Sequence, residues 1–227
     1  MTEHPLDNQL WHCLTGRMAQ HSVGSGEVRM FRPEIAPAGG IARVTPENLS
    51  ALAALVTPGS TFILHSAEPI GGTAELESID CHPLLQMVAN RFTPVDHAVP
   101  VTELGPADLP AMSRLIDIAK PGPLLPGAFV LGRFVGITDG EELVAIAGDR
   151  IQLPGYRELC TVCSHPKVRG RGYARIVSSV VAEAIVARGE TPYLMVLPDN
   201  TAAVGLYESL GFEPRRILYF NLFKRIA

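Results

Sequence analysis

The stretch of this chain best suited to chemistry is residues 167–174, KVRGRGYA. Gly170 and Gly172 let the backbone approach a ligand and point successive N–H groups to one side. The residues that follow read as a helix, whose N-terminal end adds partial positive charge, and Arg169 and Arg171 add full charge. Together these make an anion site suited to a diphosphate. Two nucleotide patterns fit poorly. A P-loop needs Lys-Ser or Lys-Thr after its glycine, where this chain has Gly170-Arg171-Gly172-Tyr173. A dinucleotide fingerprint needs a third glycine at position 175, which is Arg175, and a place near a first strand.

Other reactive side chains offer less. Cys160 and Cys163 match C-x-x-C, but on a strand residues three apart point to opposite faces, which suits neither a metal nor a disulfide. They read as buried, inert thiols; an acyl-carrying Cys163 is the alternative. His165, ahead of Pro166, reads as a turn cap rather than a catalyst. The seven histidines form no H-x-x-x-H or H-E-x-x-H cluster, so no catalytic metal is expected. Trp11, His12 and Arg17 fall on an N-terminal helical stretch, where packing is the plainer role and lining an acceptor pocket the other.

The elements that must position these residues are well patterned from residue 101 onward. Residues 101–104 read as a strand, 106–119 as a helix with Leu109, Met112, Leu115, Ile116 and Ala119 at helical spacing, and 120–127 as a loop. Strands are expected at 133–138 and 143–149, joined by the hairpin signal Asp139-Gly140. A turn at 153–156 leads to a strand over 158–164. Helix 173–188, strand 193–197, helix 201–210 stopped by Gly211, and strand 218–223 complete the series. Before residue 101 the pattern is looser. A helix is expected to start after Thr45 with Pro46 in its first turn and to stop at Gly59. Residues 60–65 read as a strand, 83–90 as a helix and 91–100 as a connector. Residues 46–56 echo residues 106–116 at an offset of 60, through generic helix spelling or a decayed duplication.

A chain of 227 residues holds one large or two small domains. Its net charge of −4 shows no footprint for nucleic acid or anionic membrane. No apolar run suits a membrane helix, the start MTEHPLDNQLWHC does not read as a signal peptide, and cysteines at 13, 81, 160 and 163 need no disulfides, so a reducing cytoplasm is the expected location.

Residues 200–212, NTAAVGLYESLGF, resemble the N…A…LYxxLGF signature of the GCN5-related N-acetyltransferases, and residues 167–174 resemble that superfamily's pyrophosphate loop. Lys167 stands where the pattern has Gln or Arg. The likeness is nearest the FR47-like branch and covers about 101–227. It implies an α/β fold: a mixed, splayed sheet flanked by helices, with a partial or related N-terminal domain. The expected domains are 1–95, a degenerate acetyltransferase-like half, and 96–227, the acetyltransferase domain.

The resemblance also implies roles. The 158–164 strand would splay from the 193–197 strand, with Thr161, Val162 and Cys163 bonding the pantetheine arm of acetyl-CoA. Lys167 would lie at the diphosphate, held by the N–H groups of Arg169, Gly170, Arg171, Gly172, Tyr173 and Ala174. Asn200, Ala203 and Tyr207 share a helix face that would border the cofactor. Tyr207 would protonate the departing thiolate; simple packing is the alternative. Glu158 is the candidate base, against a solvated carboxylate or a water relay. The expected reaction is direct acetyl transfer from acetyl-CoA to a small-molecule amine or amino acid, with no metal, nucleic acid or membrane partner and a homodimer allowed. The rivals are a non-catalytic acyl-CoA-binding or sensing module, and an acyltransferase for protein or hydroxyl acceptors.

Overall fold

The structure is a computed structural model that describes residues 4–125 and 127–226; Met1 to Glu3, Pro126 in the 120–127 loop, and Ala227 lie outside the described residues. The first elements are helix α1 (Gln9–Thr15), strands β1 (Ser22–Val23), β2 (Val28–Phe31) and β3 (Ala38–Ile41), helix α2 (Pro46–Ala53), and strands β4 (Thr61–Ser66), β5 (Leu76–Val88) and β6 (Thr102–Leu104). Helices α3 (Leu109–Ala119) and α4 (Ala128–Leu131) follow, then strands β7 (Phe134–Asp139), β8 (Glu142–Leu153) and β9 (Tyr156–Ser164). Helix α5 (Tyr173–Val186), strand β10 (Thr191–Val196), helix α6 (Thr201–Glu208) and strand β11 (Glu213–Arg225) complete the chain. Mixed strands with helices between them make this the expected α/β fold.

The chain forms two compact units. One comprises Met1–Leu85, Ile151–Pro154 and Arg216–Ala227; the other comprises Gln86–Arg150 and Gly155–Arg215. In the first unit β1, β2 and β3 run antiparallel in turn, β3 is parallel to β4, and β4 is antiparallel to β11. Helix α2 makes the β3-to-β4 crossover. The Thr45 hydroxyl accepts from the Asn48 N–H at 3.2 Å and Pro46 opens the helix, so its start follows from its sequence. The helix ends at Ala53, six residues before Gly59. Leu49, Leu52 and Ala53 pack with Val28, Phe62 and Phe223 into this unit's core. Gly40 lies so close to α1 that a Cβ would sit 2.4 Å from the Trp11 nitrogen.

In the second unit the strand order is β10-β9-β8-β7-β6. Strands β6, β7 and β8 run antiparallel, with Gly140 at φ +65° in the β7–β8 turn. Strand β9 is parallel to β10, with α5 as the crossover. Met112, Leu115 and Ile116 of α3 join Leu104, Phe134, Ile146 and Cys163 in the core.

The helix expected at 83–90 is instead the end of β5. Proline at the first position would have suited a helix, as Pro46 does in α2, but strand pairing prevails here: the Ala89 N–H donates to the Pro192 carbonyl at 2.9 Å. Helix α4 has four residues, too few for a periodic signal. The echo at offset 60 matches α2 with α3. However, α2 links parallel strands whereas α3 lies between antiparallel β6 and β7, so the two helices are not topological equivalents. The equivalent of β3–α2–β4 is β9–α5–β10.

Candidate active site

The site begins where two parallel strands stop pairing. Residues 191–193 of β10 register with 156–158 of β9, ending at Tyr193 opposite Glu158. Strand β9 then runs on to Ser164 and β10 to Val196, and no further register joins them among the described residues. Within the diverging part, Thr161 has φ +53°. A β-branched residue in left-handed backbone is strained by roughly 1–2 kcal/mol, so its neighbours must hold it there. This residue ends the regular alternation of β9, leaving Thr161 and Val162 half-buried and Cys163 buried. The expectation that Cys160 and Cys163 face apart assumed an unbroken strand, and the left-handed Thr161 lies between them. Both are free, and burial pushes each thiol up to about 12, which makes them poor nucleophiles.

The glycine loop follows directly. The His165 Nδ1 accepts from the Lys167 N–H at 3.1 Å, capping a 3₁₀ turn over Pro166–Val168. The Arg169 and Arg171 N–H groups donate to the carbonyls of Pro166 and Val168, at 3.3 and 3.2 Å. Gly170 and Gly172 have φ of +79° and +76°, and a Cβ at either would meet nothing within 4 Å. The N–H groups of Gly170, Gly172, Tyr173 and Ala174 have no partner among the described residues. Of the six N–H groups expected at a diphosphate, four are therefore open, at the N-terminus of the 14-residue helix α5. Lys167 pairs with Glu142, Arg171 lies 3.6 Å from Asp139, and Arg169 has no ion-pair partner among the described residues.

Tyr207 is buried on α6, its ring edge-on to Phe212 with centroids 5.9 Å apart. Burial, then the Cys160 and Cys163 thiols, raise its hydroxyl above the ordinary phenol range, so it stays protonated. That hydroxyl has no hydrogen-bond partner among the described residues, nor is it a sealed buried group. The Asn200 side-chain oxygen accepts from the Ala203 N–H at 3.2 Å, capping α6. Arg175 Nε donates to Ser209 Oγ at 2.9 Å, tying the first turn of α5 to the end of α6.

The Leu-Gly-Phe ending has a physical reason. Gly211 has φ +88°, and a Cβ there would lie 1.9 Å from the Arg91 carbonyl. The Thr93 N–H donates to the Leu210 carbonyl at 3.0 Å, and the Val95 N–H donates to Ser179 Oγ at 2.8 Å. The 91–100 connector thus laces α6 to α5.

Glu158 is 1% exposed, so it is no solvated strand-end carboxylate. Arg150 of β8 donates to both its oxygens, from Nε at 2.6 Å and from an Nη at 3.0 Å. Burial opposes the charge on Arg150, but Glu158, with Cys160 and Tyr193, together outweigh it and the guanidinium is held above its ordinary value. Sequence reasoning missed Arg150. The signal was a charged pair, Asp149-Arg150, directly after the uncharged run Leu143–Gly148 of the same strand. On α1, Trp11 sits under the Arg29 guanidinium, 5.7 Å from the ring centroid; His12 is on the same helix and Arg17 follows it. Among the described residues no group of three or more His, Cys, Asp or Glu could hold a metal, and no helix is long and apolar enough to cross a membrane.

A forked parallel strand pair beside an open glycine loop at a helix N-terminus defines the acyl-CoA N-acyltransferase architecture. Residues 134–220 match the model of the FR47-like protein family. A crystal structure of a GNAT-family protein from Novosphingobium aromaticivorans, described as an acetyltransferase, superposes with a TM-score of 0.91 at 34% identity. That likeness covers 99% of this chain and 100% of the other. An acetyltransferase of Pectobacterium atrosepticum is 44% identical over 50 residues, 22% of this chain and 36% of that protein. The N-alpha-acetyltransferase RimI of Mycobacterium tuberculosis is 37% identical over 83 residues, 35% of this chain and 51% of that protein. The match thus spans between about a third and a half of the length of these two curated relatives. This chain belongs to the GNAT family of acetyltransferases.

Proposed function

We propose that this protein is an acetyl-CoA-dependent N-acetyltransferase that moves acetyl directly to a primary amine of a small molecule or amino acid. The observation that carries this reading is the juxtaposition of four open N–H groups at the start of α5 with a strand fork and an unpartnered tyrosine hydroxyl. Members of the family use acetyl-CoA, and the residues here suit it: the open loop fits a diphosphate, and the unpaired strand edge fits an amide-bearing arm. Acetyl-CoA, when bound, supplies an activated thioester.

In this reading Gly170, Gly172, Tyr173 and Ala174 hold the diphosphate, with Arg169 and Lys167 adding positive field and Asn200 and Ala203 at its border. Backbone donors near Thr161, Val162 and Cys163 hold the arm and stabilise the charge that develops on the acetyl oxygen. Tyr207 gives its proton to the departing sulfur. Glu158 takes the amine's proton, through a lone pair left by Arg150 or through one water. The four free thiols suit a reducing compartment such as the cytoplasm.

Calorimetric titration with acetyl-CoA, beside a Gly170→Glu, Gly172→Glu variant, tests the reading. Binding that the variant loses is the expected result. No binding by folded wild-type protein would overturn it. The likeness to RimI, an N-alpha-acetyltransferase, is the reason to include peptides in the acceptor screen.

A further inference from the structure

Beside the fork lies a small space that the surrounding side chains leave unfilled. Cys160 and the left-handed Thr161 line it, where β9 departs from its regular path. Its volume is about 10 Å³, room for one group the size of a methyl. Leu124, Leu125, Ala128 and Leu131 line it from the 120–127 loop and α4, and Phe134 lines it from β7. Arg150 borders it too, but almost no polar surface is exposed there, and the guanidinium is engaged at Glu158.

Each feature narrows the occupant. Walls of carbon give a polar atom no partner, so water and charged groups are poorly held. An alkyl group gains there, because it restores the contacts that an empty space forfeits. The size admits a methyl, and a longer chain would have to push the walls back. Those walls are tied down. Leu124, Ala128 and Phe129 pack with Phe134 and Cys163 in the core of this unit, and the Phe129 and Phe134 rings meet edge-on at 5.5 Å. The Ala128 N–H donates to the Leu125 carbonyl at 3.1 Å, and the Leu131 N–H to the Gly127 carbonyl at 3.0 Å.

Which alkyl group belongs here follows from the direction of the cofactor. In the acetyltransferase reading the diphosphate lies at residues 170–174, past the end of β9, and the arm runs back along residues 163, 162 and 161. The far end of that arm carries the acyl group. Residues 161 and 160, next along the same path, are the two residues of β9 that line the cavity. We propose that the acyl methyl of the donor occupies this cavity, and that Leu125, Ala128 and Leu131 thereby restrict the donor to acetyl-CoA and exclude propionyl and longer acyl groups. The inference rests on the acetyltransferase reading above.

The test is calorimetric titration of the full chain with CoA, acetyl-CoA, propionyl-CoA and butyryl-CoA, which needs no acceptor. CoA, with no acyl group to place, is the reference within each protein. In the wild type propionyl-CoA should bind roughly 5–150-fold more weakly than acetyl-CoA, the cost of forcing one methylene into a filled space, and butyryl-CoA more weakly still. Leu125→Ala widens the cavity and should bring propionyl-CoA level with acetyl-CoA. Ala128→Val fills it and should lower acetyl-CoA against CoA by a similar factor.

No binding of CoA or of any acyl-CoA by folded wild-type protein sinks the acetyltransferase reading and this inference together. Binding of CoA with equal affinity for the three acyl-CoAs, or with a preference for propionyl or butyryl, overturns this inference and spares the parent reading. So does an acetyl preference left unmoved by either variant in protein that still binds CoA. If neither variant folds, nuclear Overhauser contacts from the isotope-labelled methyl of bound acetyl-CoA to leucine methyl groups of the wild type decide. Their presence supports the placement, and their absence overturns it.

Discussion

Replacing Tyr207 by Phe isolates a single oxygen atom. The ring stays: the substituted phenyl group would keep the edge contact with Phe212, now 5.9 Å between centroids. The hydroxyl has no partner among the described residues, so no protein hydrogen bond is lost. Stability should therefore shift by no more than about 0.5 kcal/mol. If the hydroxyl protonates the leaving sulfur, turnover should fall about 10²–10⁴-fold, equivalent to roughly 2.7–5.5 kcal/mol of barrier. The separation between those two magnitudes makes the variant informative.

The assay is the initial rate of thiol release, beside calorimetric titration with acetyl-CoA and a urea melt of each protein. Acetyl-CoA affinity should be unchanged. Because burial raises the hydroxyl above its ordinary value, wild-type turnover should show no basic limb from Tyr207 below about pH 10. A kcat within about threefold of wild type would remove the hydroxyl from the mechanism. A normal kcat with weakened acetyl-CoA binding would assign Tyr207 to packing.

Three further outcomes are expected. Glu158→Gln keeps an oxygen for Arg150, so the protein should fold; turnover should fall about 10²-fold. A turnover within about threefold of wild type would confine Glu158 to holding Arg150. Gly211→Ala should destabilise the protein by roughly 2–5 kcal/mol in urea, because left-handed backbone and collision with the Arg91 carbonyl act together, and an unchanged midpoint would contradict that packing. The buried thiols predict alkaline weakening: from the ordinary value of 9.0 up to about 12 the unfolded chain releases protons that Cys160 and Cys163 retain when folded. Their contribution is full below pH 9 and is lost as pH rises, by up to about 1.4 kcal/mol per pH unit for each thiol. A Cys160→Ala, Cys163→Ala variant should flatten that slope between pH 9 and 10.5, and an identical slope would refute it.

The glycine loop and the end of α6 were legible because their constraints are local. Gly170, Gly172 and Gly211 all have positive φ, so the backbone itself required glycine and the motif spelled the geometry. Helices α3, α5 and α6 followed their periodicity for the same reason. Arg150 was illegible because its partner lies across a strand pair, and nothing in a strand's alternation announces which charge will be paired. Thr161 was illegible because its conformation runs against its residue type and exists only through its surroundings. The end of β5 is a strand although Leu84, Met87 and Val88 have helical spacing and Pro83 suits a helix start, because the partner offered at Pro192 decides it. The first unit was hard to read because some of its packing depends on close backbone approach, as at Gly40, which leaves no hydrophobic period.

The open fork depends on what holds its closed end. Beside the last paired residues, Arg157 donates to Glu190 at 2.7 Å and to Asp149 at 3.3 Å, and Arg188 reaches Asp149 at 3.5 Å. Asp149 also accepts from the Arg133 N–H at 3.3 Å, and Gly132 passes so close that a Cβ would sit 2.1 Å from its carboxylate. Asp149 and Glu190 are buried. An apolar cluster of equal volume would hold the strands about as firmly, since desolvation offsets most of an ion pair's attraction. What apolar packing would not supply is direction. Two strands with unsatisfied edges tend to continue pairing, and a slip of one residue would exchange the faces of β9. The charges are paired in the register that brings Glu158 opposite Tyr193 at the apex. Arg150 then fixes Glu158, and Thr161 turns β9 away three residues later. The ion network, the Arg150–Glu158 pair and one strained residue thus act in sequence along a single strand, and the opening is the result of all three.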